Sequence, residues 1–99
     1  MLNINRTIGN GEAVFELTGR LDTVTSPELE GALKGCVDEA QSLTLDFSGL
    51  EYISSAGLRV LLSAQKRMSG KDGMKIVHVN ETVMEIFDVT GFADILTIE

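Results

Sequence analysis

The sequence predicts an α/β domain. Its mixed β-sheet starts with an N-terminal hairpin, continues as β-α repeats and carries its helices mainly on one face. Three observations predict it. Gly9-Asn10-Gly11 separates two strand-like stretches, residues 29–40 carry an apolar stripe at helical spacing, and from Leu43 onward strand patterns alternate with helical ones. Such alternation goes with right-handed crossovers and parallel pairing.

Leu2-Asn3-Ile4 and Ile8 suggest the first strand. Gly9-Asn10-Gly11 is a tight-turn signal, built from residues that tolerate positive φ. Ala13, Phe15 and Leu17 then alternate with Val14, Glu16 and Thr18, as in a half-buried strand. Gly19 to Thr23 reads as a loop. Ser26-Pro27-Glu28 starts a helix, with Ser26 at the cap, proline in the first turn and an acid at the positive end. Leu29, Ala32, Leu33, Cys36, Val37 and Ala40 form its apolar stripe. Leu43–Phe47 is the next strand, followed by a polar loop. A second helix spans Ser55 to Met68, with Leu58, Leu61, Leu62 and Met68 facing in. Gly70-Lys71-Asp72-Gly73 ends it. Met74 to Val79 reads as a strand apolar on both faces. Asn80 caps a third helix with Val83, Ile86 and Phe87 inward, and Gly91 supplies its left-handed end. Ile95 to Ile98 adds a short last strand.

The chain of 99 residues is 43% hydrophobic with a net charge of −7. That is enough for one domain, residues 1–99, with a core of its own. The acidic balance argues against direct nucleic-acid binding, which needs clustered Lys and Arg. No apolar run reaches the roughly 20 residues of a membrane span, so no membrane insertion is expected. The N-terminus lacks the basic and apolar regions of a signal peptide. A single cysteine fits a reducing, cytoplasmic setting. Charge is uneven: residues 1–50 carry three basic and eight acidic side chains, while Leu58–Met68 holds Arg59, Lys66 and Arg67 and no acid. Such asymmetry describes solvated helix faces or a surface that selects a protein partner by charge.

Ser54 and Ser55 stand where strand and loop give way to a helix. A hydroxyl there caps unpaired N–H groups, or carries a phosphoryl group that the positive helix end accommodates. Gly57, without a side chain, would let a partner's backbone approach, and Leu58 would give an apolar contact beside the hydroxyl. Asp22 either caps its own turn or borders the serines, if the second strand ends beside the third. Catalysis is not expected. No glycine lies two residues before either serine, and the one histidine, His78, falls within a predicted strand. Nor does any metal-ligand spacing, phosphate loop or dinucleotide fingerprint suggest a metal or cofactor.

The layout resembles the STAS domain, in particular the bacterial anti-sigma factor antagonists, over nearly the whole chain. Gly19-Arg20-Leu21-Asp22 is similar to that family's G-x-L-D loop. Asp46-Phe47-Ser48-Gly49-Leu50-Glu51-Tyr52-Ile53 is similar to its D-[LF]-S-x-[VL]-x-[YF]-[IM] segment. Ser54-Ser55-Ala56-Gly57-Leu58 is similar to its D-S-[ST]-G-L phosphorylation motif. The resemblance implies a non-enzymatic protein that binds an anti-sigma factor, itself a serine kinase, and so releases a sigma factor. It implies Ser55 as the acceptor that switches binding off, and a phosphatase that restores it. Asp22, Ser54, Ser55, Gly57 and Leu58 would form the partner-binding surface. One departure stands out: the family's aspartate before the acceptor is Ser54 here, which leaves two adjacent hydroxyls and Ser54 as the alternative acceptor. The alternative role is that of an accessory subunit or scaffold in a transporter or signalling complex.

Overall fold

A computed structural model describes residues 2–99. Its elements are β1 (Leu2–Gly9), β2 (Glu12–Leu21), α1 (Ser26–Glu39), β3 (Ser42–Ile53), α2 (Ser55–Met68), β4 (Gly73–Val77) and α3 (Glu81–Thr90), then a 3-10 turn at Phe92–Asp94. The four strands form one sheet in the order β1-β2-β3-β4. β1 pairs antiparallel with β2 across the expected turn, where Asn10 and Gly11 both have positive φ. β2–β3 and β3–β4 pair in parallel, as the β-α alternation requires. The predicted mixed sheet is therefore present.

One sheet face is buried. Ala13, Phe15, Leu17 and Leu21 of β2 lie beside Leu43, Leu45, Phe47, Leu50 and Ile53 of β3, and Met74 and Ile76 of β4. α2 packs on β3 and β4 and against α1, while α3 packs on β3. Phe47 and Phe87 meet there with ring centroids 6.4 Å apart, within the favourable range for aromatic pairs. The opposite sheet face carries Glu16, Thr18, Arg20 and Lys75, all exposed.

Several local expectations are corrected. The segment read as a polar loop after Phe47 is strand to Ile53, and β2 continues through Leu21. Against β2, β3 carries extra residues between Glu16/Thr18 and Gly19/Arg20. These bulges turn a period of two into a period of three, so Phe47, Leu50 and Ile53 all face the core. The N-cap of α1 is Thr25, not Ser26, and Ser26 is buried inside the first turn. Leu62 is half-buried and outside the core cluster, where Val60 and Ala64 fill the shoulder of the helix instead. β4 stops at Val77 and alternates, with Lys75 exposed between Met74 and Ile76, so it is not apolar on both faces. His78 lies beyond the strand with φ 59. The last expected strand is a single parallel bridge, Ile76 to Ile98. Asn80 and Gly91 act as predicted: the Asn80 side chain accepts from Val83 N at 2.8 Å, and Gly91 is left-handed with φ 81.

One stabilising contact has no local signature. Lys71, in the turn after α2, donates from Nζ to the carbonyls of Val37, Asp38 and Ala40 at 2.6, 3.0 and 2.8 Å. These are unpaired acceptors at the C-terminal end of α1, where the helix dipole favours a cation.

Candidate functional site

The site is built where β2 and β3 end side by side. Leu21 pairs with Ile53, and Ser54 N donates to Leu21 O at 2.9 Å. Two connections leave this edge together: residues 22–25 lead into α1, and Ser54 alone leads into α2. In sheets of this type, the carboxyl ends of parallel strands are the usual place for a binding site.

Ser54 is the N-cap of α2, with extended backbone at φ −100 and ψ 176. Its hydroxyl oxygen accepts from Gly57 N at 3.4 Å, and its carbonyl accepts from Leu58 N at 2.9 Å. The side-chain bond is at the long limit for N–H···O, so the cap is a weak one. Ser55 is the first residue of the helix. It is exposed, and among the described residues its hydroxyl has no hydrogen-bond partner. The first turn of α2 contains no acidic residue, so its positive end is left uncompensated.

Asp22 occupies the neighbouring connection, in an arrangement that satisfies both of its sequence readings. It caps its own turn, with Oδ1 accepting from Val24 N and Thr25 N, each at 3.0 Å. It also borders the serines, because Leu21 and Ser54 are bonded. The Thr25 N–H is the main reason its carboxyl titrates below the ordinary aspartate value. Thr25 Oγ1 accepts from Asp22 N at 2.9 Å and donates to Arg20 O at 2.7 Å. Ser26 Oγ donates to Asp22 O at 2.6 Å. Arg20 lies 4.6 Å over the Tyr52 ring, with Nε 4.0 Å from Asp22 Oδ2. At the tip, Val24 is 82% exposed.

Gly57 and Leu58 take a different part from the one expected. A Cβ on Gly57 would come within 2.8 Å of Ile53 Cγ1 and Leu21 Cγ. The missing side chain therefore lets α2 press onto the ends of β2 and β3, and the space is filled from inside. Leu58 is 5% exposed and belongs to the core. Both residues support the surface from beneath, while Asp22, Ser54 and Ser55 reach it.

His78 is held elsewhere. Its Nδ1 lies 3.0 Å from Asp46 Oδ1, and no hydrogen bond joins it to either serine. Burial of the Asp46 carboxyl works to raise its pKa, but the Ser48 N–H and His78 outweigh this and the net shift is downward. Among the described residues, no group of three or more His, Cys, Asp or Glu side chains converges as a metal site would. Cys36 is buried on α1, and among the described residues no helix is long and apolar enough to cross a membrane.

This mixed sheet with its two helix starts at one edge defines a class, and the comparisons agree: the STAS domain family model matches residues 3–99, and the chain belongs to that family. A Bordetella bronchiseptica protein, BtrV, provisionally named an anti-sigma factor antagonist, is 32% identical over 91 residues, covering 90% of this chain and 78% of its own. The anti-sigma-B factor antagonist of Bacillus subtilis is 26% identical, covering 98% and 92% of the two chains. Relatives of this kind are regulatory binding proteins, not enzymes. The crystal structure of an anti-sigma factor antagonist from Mycobacterium paratuberculosis shares the fold with a TM-score of 0.89 at 24% identity, over 99% of this chain and 85% of that one.

Proposed function

We propose that this chain is a cytoplasmic anti-sigma factor antagonist. It binds an anti-sigma factor that is also a serine kinase, frees a sigma factor without touching nucleic acid, and is switched off by phosphorylation of Ser55 and restored by a phosphatase. One observation carries the choice of acceptor: the Ser55 hydroxyl is exposed and unengaged, while that of Ser54 is half-buried and used in the cap. The family motif supports the same residue, although Ser54 stands where the motif has aspartate.

The binding surface in this reading comprises Ser55, Ser54 and the Asp22 connection, held in place by Gly57 and Leu58. Phosphorylation adds about −1.5 to −2 charges at neutral pH. A partner packed over Ser55 would then have to desolvate a dianion without a compensating group, which is severely unfavourable. The switch therefore needs no refolding, because the new charge lies within the contact itself.

The test is titration calorimetry against the anti-sigma factor encoded in the same genome. Ser55→Asp should weaken binding by about tenfold or more, the scale for a charge placed in a desolvated contact. Ser55→Ala should bind as the unmodified protein does and resist modification. Equal affinity for both variants would sink the proposal.

A further inference from the structure

Among the described residues, no hydrogen bond or ion pair engages the side chains of Arg59, Leu62 and Lys66 on the outward face of α2. Gly57, Leu61, Ala64 and Met68 face the core. By helical geometry Arg59 and Lys66 lie on the opposite side, with Leu62 between them at the i, i+3, i+7 spacing. Arg59 and Lys66 are exposed and take part in no ion pair among the described residues. Arg67 makes only an exposed contact with Asp38 at 3.6 Å. Leu62 is half-buried and stands apart from the core. A helix with three cations and no acid thus projects from a protein of net charge −7. The stripe lies C-terminal to Ser55 and meets it at the start of the helix, four residues before Arg59.

We propose that this stripe is a docking surface for an acidic helix of a protein partner, with two carboxylates a heptad apart and an aliphatic side chain between them. Arg59 and Lys66 are separated by about 10 Å along the helix axis, seven residues at 1.5 Å each. A partner helix of the pattern E-x-x-L-x-x-E matches that spacing and sets its leucine against Leu62. Charge complementarity selects a protein over the other polyanions. Nucleic acid and anionic membranes are extended negative surfaces that the remaining acidic molecule repels, whereas a short acidic segment meets only the stripe. The inference deepens the proposed function, on which it rests for the identity of the partner: the anti-sigma factor would be gripped at Ser55 and again along α2.

Two arms keep the stripe and that reading separable. In the first, the whole protein, labelled with nitrogen-15, is titrated with a helical peptide carrying two E-x-x-L-x-x-E repeats and with its Lys-for-Glu counterpart. Shifts confined to Arg59, Leu62, Lys66 and their immediate neighbours, seen with the acidic peptide only and suppressed at about 0.5 M salt, are expected. No such shifts, or equal shifts with both peptides, overturn the docking surface. So would co-sedimentation of the protein with phosphatidylglycerol vesicles, which would assign the stripe to a membrane. In the second arm, the anti-sigma factor of the same genome is the probe. Arg59→Glu with Lys66→Glu should weaken binding about tenfold or more with unchanged folding, while Lys75→Glu on the sheet should not. Wild-type affinity in the double variant overturns the surface and leaves the Ser55 switch standing. If the wild-type protein fails to bind the anti-sigma factor, the functional reading falls, and the peptide arm still decides the stripe.

Discussion

The N-termini of α1 and α2 follow neighbouring parallel strands, β2 and β3, and both carry a pair of hydroxyl residues. They are finished in opposite ways. At α1, Thr25 and Ser26 are 4% and 3% exposed, and both hydroxyls are hydrogen-bonded. Pro27 and Glu28 follow, and the acid complements the positive helix end. At α2 the cap is long, no acid follows, and the Ser55 hydroxyl is exposed and unengaged. Local rules are met at α1 and left unmet at α2, the end that the partner in the proposed function would complete.

Exchanging hydroxyls for apolar groups at the two ends should break the symmetry most visibly. Thr25→Val keeps the shape but strands Asp22 N–H and Arg20 C=O in a part-buried turn. It should cost about 1–3 kcal/mol in urea denaturation, the scale of unsatisfied polar groups. Ser55→Ala should stay within about 0.5 kcal/mol of the parent, as exposed substitutions do. Equal costs at the two ends would mean that α2 is not left open, and the comparison would fail.

The glycines of the two helices sharpen it further. Gly57→Ala gains about 1 kcal/mol of helix propensity. Its Cβ, however, meets Leu21 and Ile53, which are fully buried and have no room to move. Overpacking of this kind costs about 1–3 kcal/mol, so a net loss of about 1 kcal/mol is expected. Gly31 of α1 has open space where a Cβ would stand. Gly31→Ala should therefore stabilise by about 0.5–1 kcal/mol in the same assay. A destabilising Gly31→Ala would show that α1 is constrained by something other than its ends.

These contrasts also explain what could be read from residues alone. The N-terminal hairpin, the β-α repeats and the helix positions were legible because Ala13, Phe15 and Leu17, and the α1 stripe, repeat at the periods that strands and helices impose. The end of β3 was not, because its bulges space Phe47, Leu50 and Ile53 by three. Ser26-Pro27-Glu28 carries the local signature of a cap. Thr25 displaces it because its hydroxyl reaches Asp22 N and Arg20 O, contacts that only the folded turn creates. The serine pair was legible as a helix start, but not which hydroxyl the cap would use. Gly57 was legible as a place of close approach, yet the neighbours it makes room for, Leu21 and Ile53, lie at the ends of two strands. Leu58 and Leu62 are one turn apart on the shoulders of the same helix, and only packing against the sheet decides that Leu58 goes in. Lys71 and its three carbonyls are more than thirty residues apart, beyond any local pattern.

Acid should separate the two helix starts by the smallest margin. Asp22 has a folded-state pKa below its ordinary value because Thr25 and Val24 donate to its carboxylate. A depressed carboxyl contributes stability that is present above the unfolded pKa of about 3.9 and is lost as pH falls through the lower folded value. Stability measured from about pH 6 down to about pH 3 should therefore fall, and Asp22→Asn should flatten that fall. Asp46 shifts in the same direction and contributes to the remaining slope, which Asp46→Asn should reduce. The first turn of α2 has no carboxylate, so Ser55→Ala should keep the full acid response of the parent. An acid limb untouched by Asp22→Asn would mean that the α1 turn holds without its charge, and that neutral hydroxyls alone close that end.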